Sequence, residues 1–244
     1  MAKLTRVPLA GLETGERKLD PKTAHYLCDV LRLRAGEKFV AFDPESKRQA
    51  DARLAVSEDG VYCGIGPLRE AERSTDTGIV LVQALGKGDK TEQVIRSATA
   101  LGVAELHLVE SARSVARVNE RSDGKRVRWQ AIALDAARQC GRADAPKIVG
   151  PHRLAQELDA WREQSATKLC LVPGAAQSLR SLTAEWTLGS PIAILIGPEG
   201  GLSAEEVSDA QRAGFVAASF GELVLRTEIA GTAVLGALLL LAHG

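Results

Sequence analysis

Phosphate-binding signatures are missing from this sequence. It has neither G-x-G-x-x-G nor a Walker loop with Lys and Ser/Thr after the last glycine, so the usual motifs for dinucleotides and nucleoside triphosphates are absent. Cysteine is scarce: Cys28, Cys63, Cys140 and Cys170 lie far apart with no C-x-x-C, which argues against a zinc centre or a disulfide framework. They are expected to be small buried apolar groups. Aromatic residues make up only 4% of the chain, too few for the extended base-stacking platforms of single-strand binders. His25, His107, His152 and His243 are widely scattered, and neither a metal ion nor a histidine base is expected. The longest apolar run, Ala233 to Ala242, carries Gly236 and is too short to span a bilayer. Met1 to Arg6 has no signal-like apolar stretch, so a cytoplasmic protein without membrane attachment is expected.

Apolar and charged fractions of 45% and 25% are those of soluble globular proteins and exclude disorder or a fibrous chain. Net charge is zero, but the charge is unevenly spread. Between positions 111 and 142 stand Arg113, Arg117, Arg121, Lys125, Arg126, Arg128, Arg138 and Arg142, against Glu120, Asp123 and Asp135. Such segregation makes a polyanion footprint on a neutral protein; a solvated helix face is the alternative.

From position 79 onward, strand-like and helix-like segments alternate. Strands are expected at 79–85, 105–109, 147–149, 168–172, 192–196 and 215–220. Helices are expected at 91–101, 125–140 and 154–161, after Ser203, and from Ile229 to the end. This alternation predicts an α/β domain with a largely parallel sheet covered on both faces. The first 70 residues differ. Asp20-Pro21 caps and opens a short helix, and β-rich segments at 38–42, 50–56 and 60–65 suggest a small barrel. The polar stretch from Leu68 to Asp76 is the expected join.

The most informative segment is Ile194-Leu195-Ile196-Gly197-Pro198-Glu199-Gly200-Gly201-Leu202-Ser203-Ala204-Glu205-Glu206. An apolar strand ends in glycines that permit close backbone approach, and Ser203 with Glu206 then forms a capping box for a helix. Leu202 and Val207 are placed to staple it. Such a loop at the carboxyl edge of a parallel sheet often holds a ligand. Glu199 would repel a pyrophosphate, so an adenosine-bearing ligand with a positive centre fits better, and S-adenosylmethionine has that description. A tight turn without ligand is the alternative.

Two further strand ends can share the crevice: Leu169 to Gly174, and Ser219 to Glu228. Thr227 is the expected N-cap of the last helix. Arg226 stands at the wrong end for the helix dipole and needs an anionic partner: Glu199, Glu228 or substrate.

Taken in order along nearly the whole chain, these segments resemble the SPOUT-class methyltransferases that place a methyl group on N3 of a uridine in small-subunit ribosomal RNA. The matching pieces are His25-Tyr26-Leu27, Val30-Leu31-Arg32-Leu33 and Gly36, the helix from Glu92 to Leu101-Gly102-Val103, and Trp129 with Gln139-Cys140-Gly141-Arg142 and Pro146. The strongest are Leu195 to Gly201 and Leu225-Arg226-Thr227-Glu228. Two positions depart from the pattern: Leu223 replaces a usual basic residue and Ile229 a threonine.

The resemblance implies a PUA-like barrel over 1–72, a methyltransferase domain with a deep trefoil knot over 73–244, and a homodimer. It implies that S-adenosylmethionine, without a metal, is held by Leu171, Val172, Pro173 and Gly174, by Ile196, Gly197, Pro198, Glu199, Gly200 and Gly201, and by Phe220, Gly221, Leu223, Val224 and Leu225. The implied substrate is 16S ribosomal RNA of the small subunit, with uridine 1498 the expected target. Uracil N3 must lose a proton before it attacks a methyl group, with negative charge spreading to O2 and O4. Arg226 is the candidate for that charge, and Glu228 or Glu199 for the proton or for holding Arg226. Arg6, Arg32, Arg126, Arg128 and Arg142 are the RNA-binding candidates. Arg6 and Arg142 are also candidates for the pocket itself, Arg142 from the second subunit. The last helix, with Val234, Leu238 and Leu241, is expected at the dimer interface. The competing class is a catalytically inactive RNA-binding assembly factor of the same fold, against which the intact glycine and Arg226 segments argue. A nucleotide-dependent enzyme is disfavoured by the missing phosphate motif.

Overall fold

A computed structural model describes residues 5–71, 77–115 and 122–242. Within the polar join, 72–76 lie outside the described residues, as do Arg117, Glu120, Arg121 and His243. The chain forms two compact units: Met1–Ser74 with Ala137–Asp144, and Thr75–Ala136 with Ala145–Gly244. The short excursion at 137–144 interrupts what the sequence suggests is one continuous second domain.

The N-terminal unit holds β1 (Arg6–Pro8), β2 (Gly15–Lys18), α1 (Pro21–His25), a π-helical turn (Tyr26–Val30), β3 (Lys38–Asp43), β4 (Arg48–Ser57), β5 (Gly60–Ile65) and β6 (Arg69–Glu70). Its sheet runs β1-β3-β4-β5-β2, with β6 on β4. The Asp20 carboxylate accepts from the amides of Lys22 and Thr23, and Pro21 occupies the first helical position, as the sequence predicts. Val7, Leu27, Phe39, Leu54 and Cys63 fill the core. β1 and β2 carry no alternating apolar pattern, which is why the sequence does not announce them.

The C-terminal unit holds β7 (Ile79–Ala84), α2 (Lys90–Ala100), β8 (Glu105–Glu110), α3 (Ser122–Cys140), whose last residues belong to the N-terminal unit, and β9 (Lys147–Arg153). It continues with α4 (Leu154–Trp161), β10 (Thr167–Leu171), β11 (Gln177–Ser178), α5 (Leu179–Leu182), β12 (Ile192–Ile196), α6 (Ala204–Arg212), β13 (Val216–Ser219) and α7 (Thr227–Ala242). All strands pair in parallel in the order β11-β13-β10-β12-β7-β8-β9.

Alternate residues of each central strand supply the two faces. On one face Ile192, Ile194 and Ile196 join Leu81, Val94, Ile95, Trp129, Val234, Leu235 and Leu238. On the other Ala193 and Leu195 join Val82, Leu158, Trp161 and Phe215. Each fully buried large apolar side chain contributes roughly 1.5–3 kcal/mol relative to exposure. Val234 and Leu238, expected at a dimer interface, lie instead in this core, because the apolar α7 packs against its own sheet. Among the described residues, the large apolar side chains that α7 leaves exposed are Ile229, Leu240 and Leu241. Cys170 is buried on β10, and desolvation pushes its thiol up to about 12, as suits an inert packing group.

Candidate active site

Four adjacent strands, β13, β10, β12 and β7, point their carboxyl ends the same way, so the segments following them meet at one sheet edge. There they enclose a cavity of about 530 Å³, within the size range of small-molecule sites. Leu171 to Pro173 follow β10, Ile196 to Leu202 follow β12, and Phe220, Gly221 and Leu223 to Thr227 follow β13. Of the cofactor positions named from the sequence, Gly174 alone does not line it. Most of the wall is apolar, with Lys90, Arg113, Glu199, Arg226 and Thr227 supplying polar groups.

The glycine loop is shaped by close approach. A Cβ on Gly197 would lie 2.9 Å from the Leu202 amide nitrogen, a separation that a real side chain does not tolerate. Gly201 has φ +69°, in the left-handed region. A Cβ on Gly200 would sit 3.4 Å from the Arg113 side chain. The capping box forms as expected: Ser203 Oγ accepts from the Glu206 amide at 3.1 Å, and Glu206 Oε2 from the Ser203 amide at 2.8 Å. Glu206 Oε1 also accepts from the Ala112 amide at 2.6 Å, and Arg113 Nη1 donates to the Gly200 carbonyl at 2.8 Å. The loop after β8 is thereby tied to the glycine loop. Thr227 differs from expectation. It is the first residue of α7, and its hydroxyl donates to the Gly197 carbonyl at 2.6 Å and accepts from Gln83 Nε2 at 2.9 Å. The part-buried carbonyl just after β12 takes the hydroxyl as its donor, in place of a capping role at the start of α7.

The charged groups pair otherwise than the sequence suggests. Neither Glu199 nor Glu228 holds Arg226. Lys90 Nζ lies 3.1 Å from Glu199 Oε1 and 3.5 Å from Glu228 Oε2. Glu199 Oε1 also accepts from the Lys87 amide at 2.9 Å. Burial opposes ionisation of Glu199, but the Lys87 amide and the Lys90 ammonium outweigh it and hold the carboxyl below its ordinary range. The hydrogen bond to Glu199 in turn pushes Lys90 up, so it stays cationic. Arg226 is exposed, lines the cavity and has no ion pair among the described residues. Glu228 is not on the cavity wall. Lys90 is not named from the sequence, and Arg113 is named only in the basic stretch and not for this cavity. The available signal was Lys90 at the start of a helix, where the dipole disfavours a cation.

The family described as RNA methyltransferase domain matches residues 73–239, and the RNA methyltransferase PUA domain matches residues 19–65. The chain belongs to the RNA methyltransferase family. Ribosomal RNA small subunit methyltransferase E of Mycobacterium tuberculosis (strain CDC 1551 / Oshkosh) is 30% identical, over 90% of this chain and 84% of that protein. Its counterpart in Bacillus subtilis (strain 168) is 29% identical, over 88% and 86%. Among solved structures, a putative methyltransferase of Legionella pneumophila in complex with bound S-adenosylmethionine superposes with TM-score 0.88 at 30% identity, covering 97% of each chain. The small subunit methyltransferase E of Neisseria gonorrhoeae, bound to S-adenosylmethionine, gives 0.85 at 28%, covering 98% of each. The fold is thus the mixed α/β methyltransferase fold of this family, preceded by a sheet-rich N-terminal region.

The RNA candidates fall on both units. In the N-terminal unit, Arg6 donates to Gln49 Oε1 at 2.9 Å and stacks over Phe42, and Arg32 is exposed with φ 55°. Arg142 is 4% exposed and pairs with Asp144 at 3.0 Å. In the RNA methyltransferase unit, Arg126 is exposed on α3, and Arg128, also exposed, pairs with Glu92 at 2.6 Å. Among the described residues no helix is long and apolar enough to cross a membrane.

Proposed function

We propose that this protein uses S-adenosylmethionine to methylate N3 of a uridine in 16S ribosomal RNA, uridine 1498 being the expected target. One observation carries the reading: an apolar cavity at the carboxyl edge of the sheet, walled by a glycine loop, in which Arg226 has no ion pair among the described residues while Lys90 holds Glu199 and Glu228. The residues fit that cofactor. The backbone of the glycine loop is open to close approach, the wall is apolar enough for an adenosine, and the loop carries neither phosphate-binding motif. Leu171 to Gly174, Ile196 to Gly201 and Phe220 to Leu225 are the positions that would hold it.

When bound, S-adenosylmethionine supplies an electrophilic methyl group, and the sulfur keeps the electron pair of the broken bond. The chain's tasks are to orient the uracil, accept its N3 proton and stabilise charge on O2 and O4. Arg226 serves the charge. Glu228, set behind the cavity wall, would take the proton through one water, since Glu199 Oε1 already serves the Lys87 amide and Lys90. No metal is required, because a deprotonated N3 is itself the nucleophile. Arg6, Arg32, Arg126 and Arg128 contact RNA phosphates. Arg142, buried beside Asp144, serves to shape the N-terminal unit.

The full reading places a PUA-like barrel over 1–72 and a knotted methyltransferase domain over 73–244, in a cytoplasmic homodimer. Exposed Leu240 and Leu241 on α7 support the dimer. Sedimentation at micromolar concentration tests the dimer: a dimer is expected, and Leu240→Asp with Leu241→Asp should yield a monomer. Incubation with labelled S-adenosylmethionine and small ribosomal subunits lacking the modification tests the activity. Label in 16S RNA supports the reading; a bound cofactor without transfer favours the assembly factor instead.

A further inference from the structure

Lys90 is the unexpected member of the site. It opens α2, where the helix dipole works against a cation, yet its ammonium reaches Glu199 on the β12 loop and Glu228 on α7 at 3.1 and 3.5 Å. Its side chain is mostly enclosed, and Glu228 more so. The short loop before it is folded tightly enough that a Cβ on Gly86 would lie 3.0 Å from Lys90 Cβ and 3.5 Å from Glu199 Oε1. The Gly86 amide donates to Thr91 Oγ1 at 3.2 Å, and the Lys87 amide to Glu199, so the start of α2 is fixed against the glycine loop. Arg226, on the same cavity wall as Lys90 and Glu199, is left with no carboxylate among the described residues.

We propose that Lys90 is a positioning residue for methyl transfer: it holds Glu199 and Glu228 in one place and away from Arg226, leaving that guanidinium free for the charge that develops on the substrate. This rests on the functional reading above. Two carboxylates at one site need a cation, and without Lys90 the partner left for Glu199 is Arg226, which lines the same cavity. A quenched Arg226 would still allow the cofactor to bind, since the glycine loop keeps its ties to Thr227 and Arg113. The loss should therefore fall on turnover.

The test compares wild type, Lys90→Met, Lys90→Arg and Lys90→Met with Glu199→Gln. Cofactor affinity is read by calorimetry, and transfer of labelled methyl to small ribosomal subunits by kcat and KM. Lys90→Met should lower kcat on the order of 100-fold, the scale set by losing one charge-stabilising group. Cofactor Kd should stay within about threefold, because an interaction made only in the transition state affects kcat rather than binding. Lys90→Arg should retain most activity, since it keeps the cation even if it alters geometry. Adding Glu199→Gln to Lys90→Met should restore part of kcat, because one of the two uncompensated charges is gone; coupling of this sign is what contacting residues show. Wild-type kcat in Lys90→Met overturns the inference, as does a double variant no more active than Lys90→Met. Wild-type protein that transfers no methyl group overturns the functional reading itself.

Discussion

Thr227 donates its hydroxyl proton to the Gly197 carbonyl at 2.6 Å, tying the first turn of α7 to the glycine loop that ends β12. Gln83 Nε2 reaches the same hydroxyl from the end of β7 at 2.9 Å. One side chain thus joins the start of α7, the glycine loop and β7, and it supplies a donor to the Gly197 carbonyl and an acceptor to Gln83, which also donates to the Ala84 carbonyl at 3.1 Å.

Replacing Thr227 with Val keeps the shape and removes both bonds. It should cost about 1–3 kcal/mol of stability, the penalty for leaving buried polar groups unsatisfied. Cofactor affinity should weaken with it, because the Gly197 carbonyl loses its anchor. Thermal unfolding and calorimetry on the same preparation check both; an unchanged melting temperature would show that the bond is not formed in solution.

The glycines are expected to fail in different ways. Gly197→Ala sets a Cβ against the Leu202 amide and should disrupt the loop and destabilise the fold by about 1–3 kcal/mol, as overpacking does. Gly200→Ala meets only the flexible Arg113 side chain and should leave a folded protein. Gly200→Val should stay folded too but lose S-adenosylmethionine binding, because the added bulk occupies the ligand's approach. Equal affinity in wild type and Gly200→Val would remove the glycine loop from the site.

Away from the cavity, Glu157 on α4 is buried and meets His107 Nδ1 at 2.6 Å, His152 Nε2 at 2.5 Å and Trp161 Nε1 at 2.5 Å. Burial opposes its charge, but the two histidines and the indole outweigh that and lower it to about 2. A lowered carboxylate contributes stability that is present above the unfolded value of 4.5 and lost as pH falls toward 2. Burial works against a charged His107, yet Glu157 and Glu105 raise it above 6.5, so its contribution is present below 6.5 and fades as pH rises through the raised value. Stability should therefore decline on both sides of a mildly acidic plateau. Glu157→Gln should flatten both limbs and cost about 3–5 kcal/mol, the scale for breaking a buried pair. Urea unfolding from pH 3 to pH 8 provides the check; parallel curves for both proteins would contradict it.

Much of this architecture was legible in the residues. Strand β12 matches its expected bounds because a bare apolar run between Pro191 and Gly197 permits little else, and α4 likewise begins and ends where its apolar period does. The Ser203 capping box was readable because both partners lie within one turn. The pairing of Lys90 with Glu199 and Glu228 was not, since it joins residues more than 100 positions apart through the strand order. Nor was the burial of Val234 and Leu238, because an all-apolar helix does not say which of its faces meets its own sheet. The grouping of 137–144 with the N-terminal unit leaves no local pattern at all.

RNA affinity is expected to rest on phosphate contacts from exposed arginines. Changing Arg126 and Arg128 to Ala should reduce the salt slope of binding to small-subunit RNA by about 0.7–0.9 for each lost contact. Cofactor affinity should be unchanged, as neither residue lines the cavity. Fluorescence titrations across ionic strengths measure the slope, and a wild-type slope in the double variant would assign these arginines to a solvated helix face.

The most direct test of the central claim is to locate the transferred methyl group. Purified protein, S-adenosylmethionine and small ribosomal subunits lacking the modification would be incubated together, and the 16S RNA digested to nucleosides for mass spectrometry. The expected product is 3-methyluridine, formed once per subunit and lost with Arg226→Ala. A methyl group found on a ribose oxygen or on another base atom would contradict it.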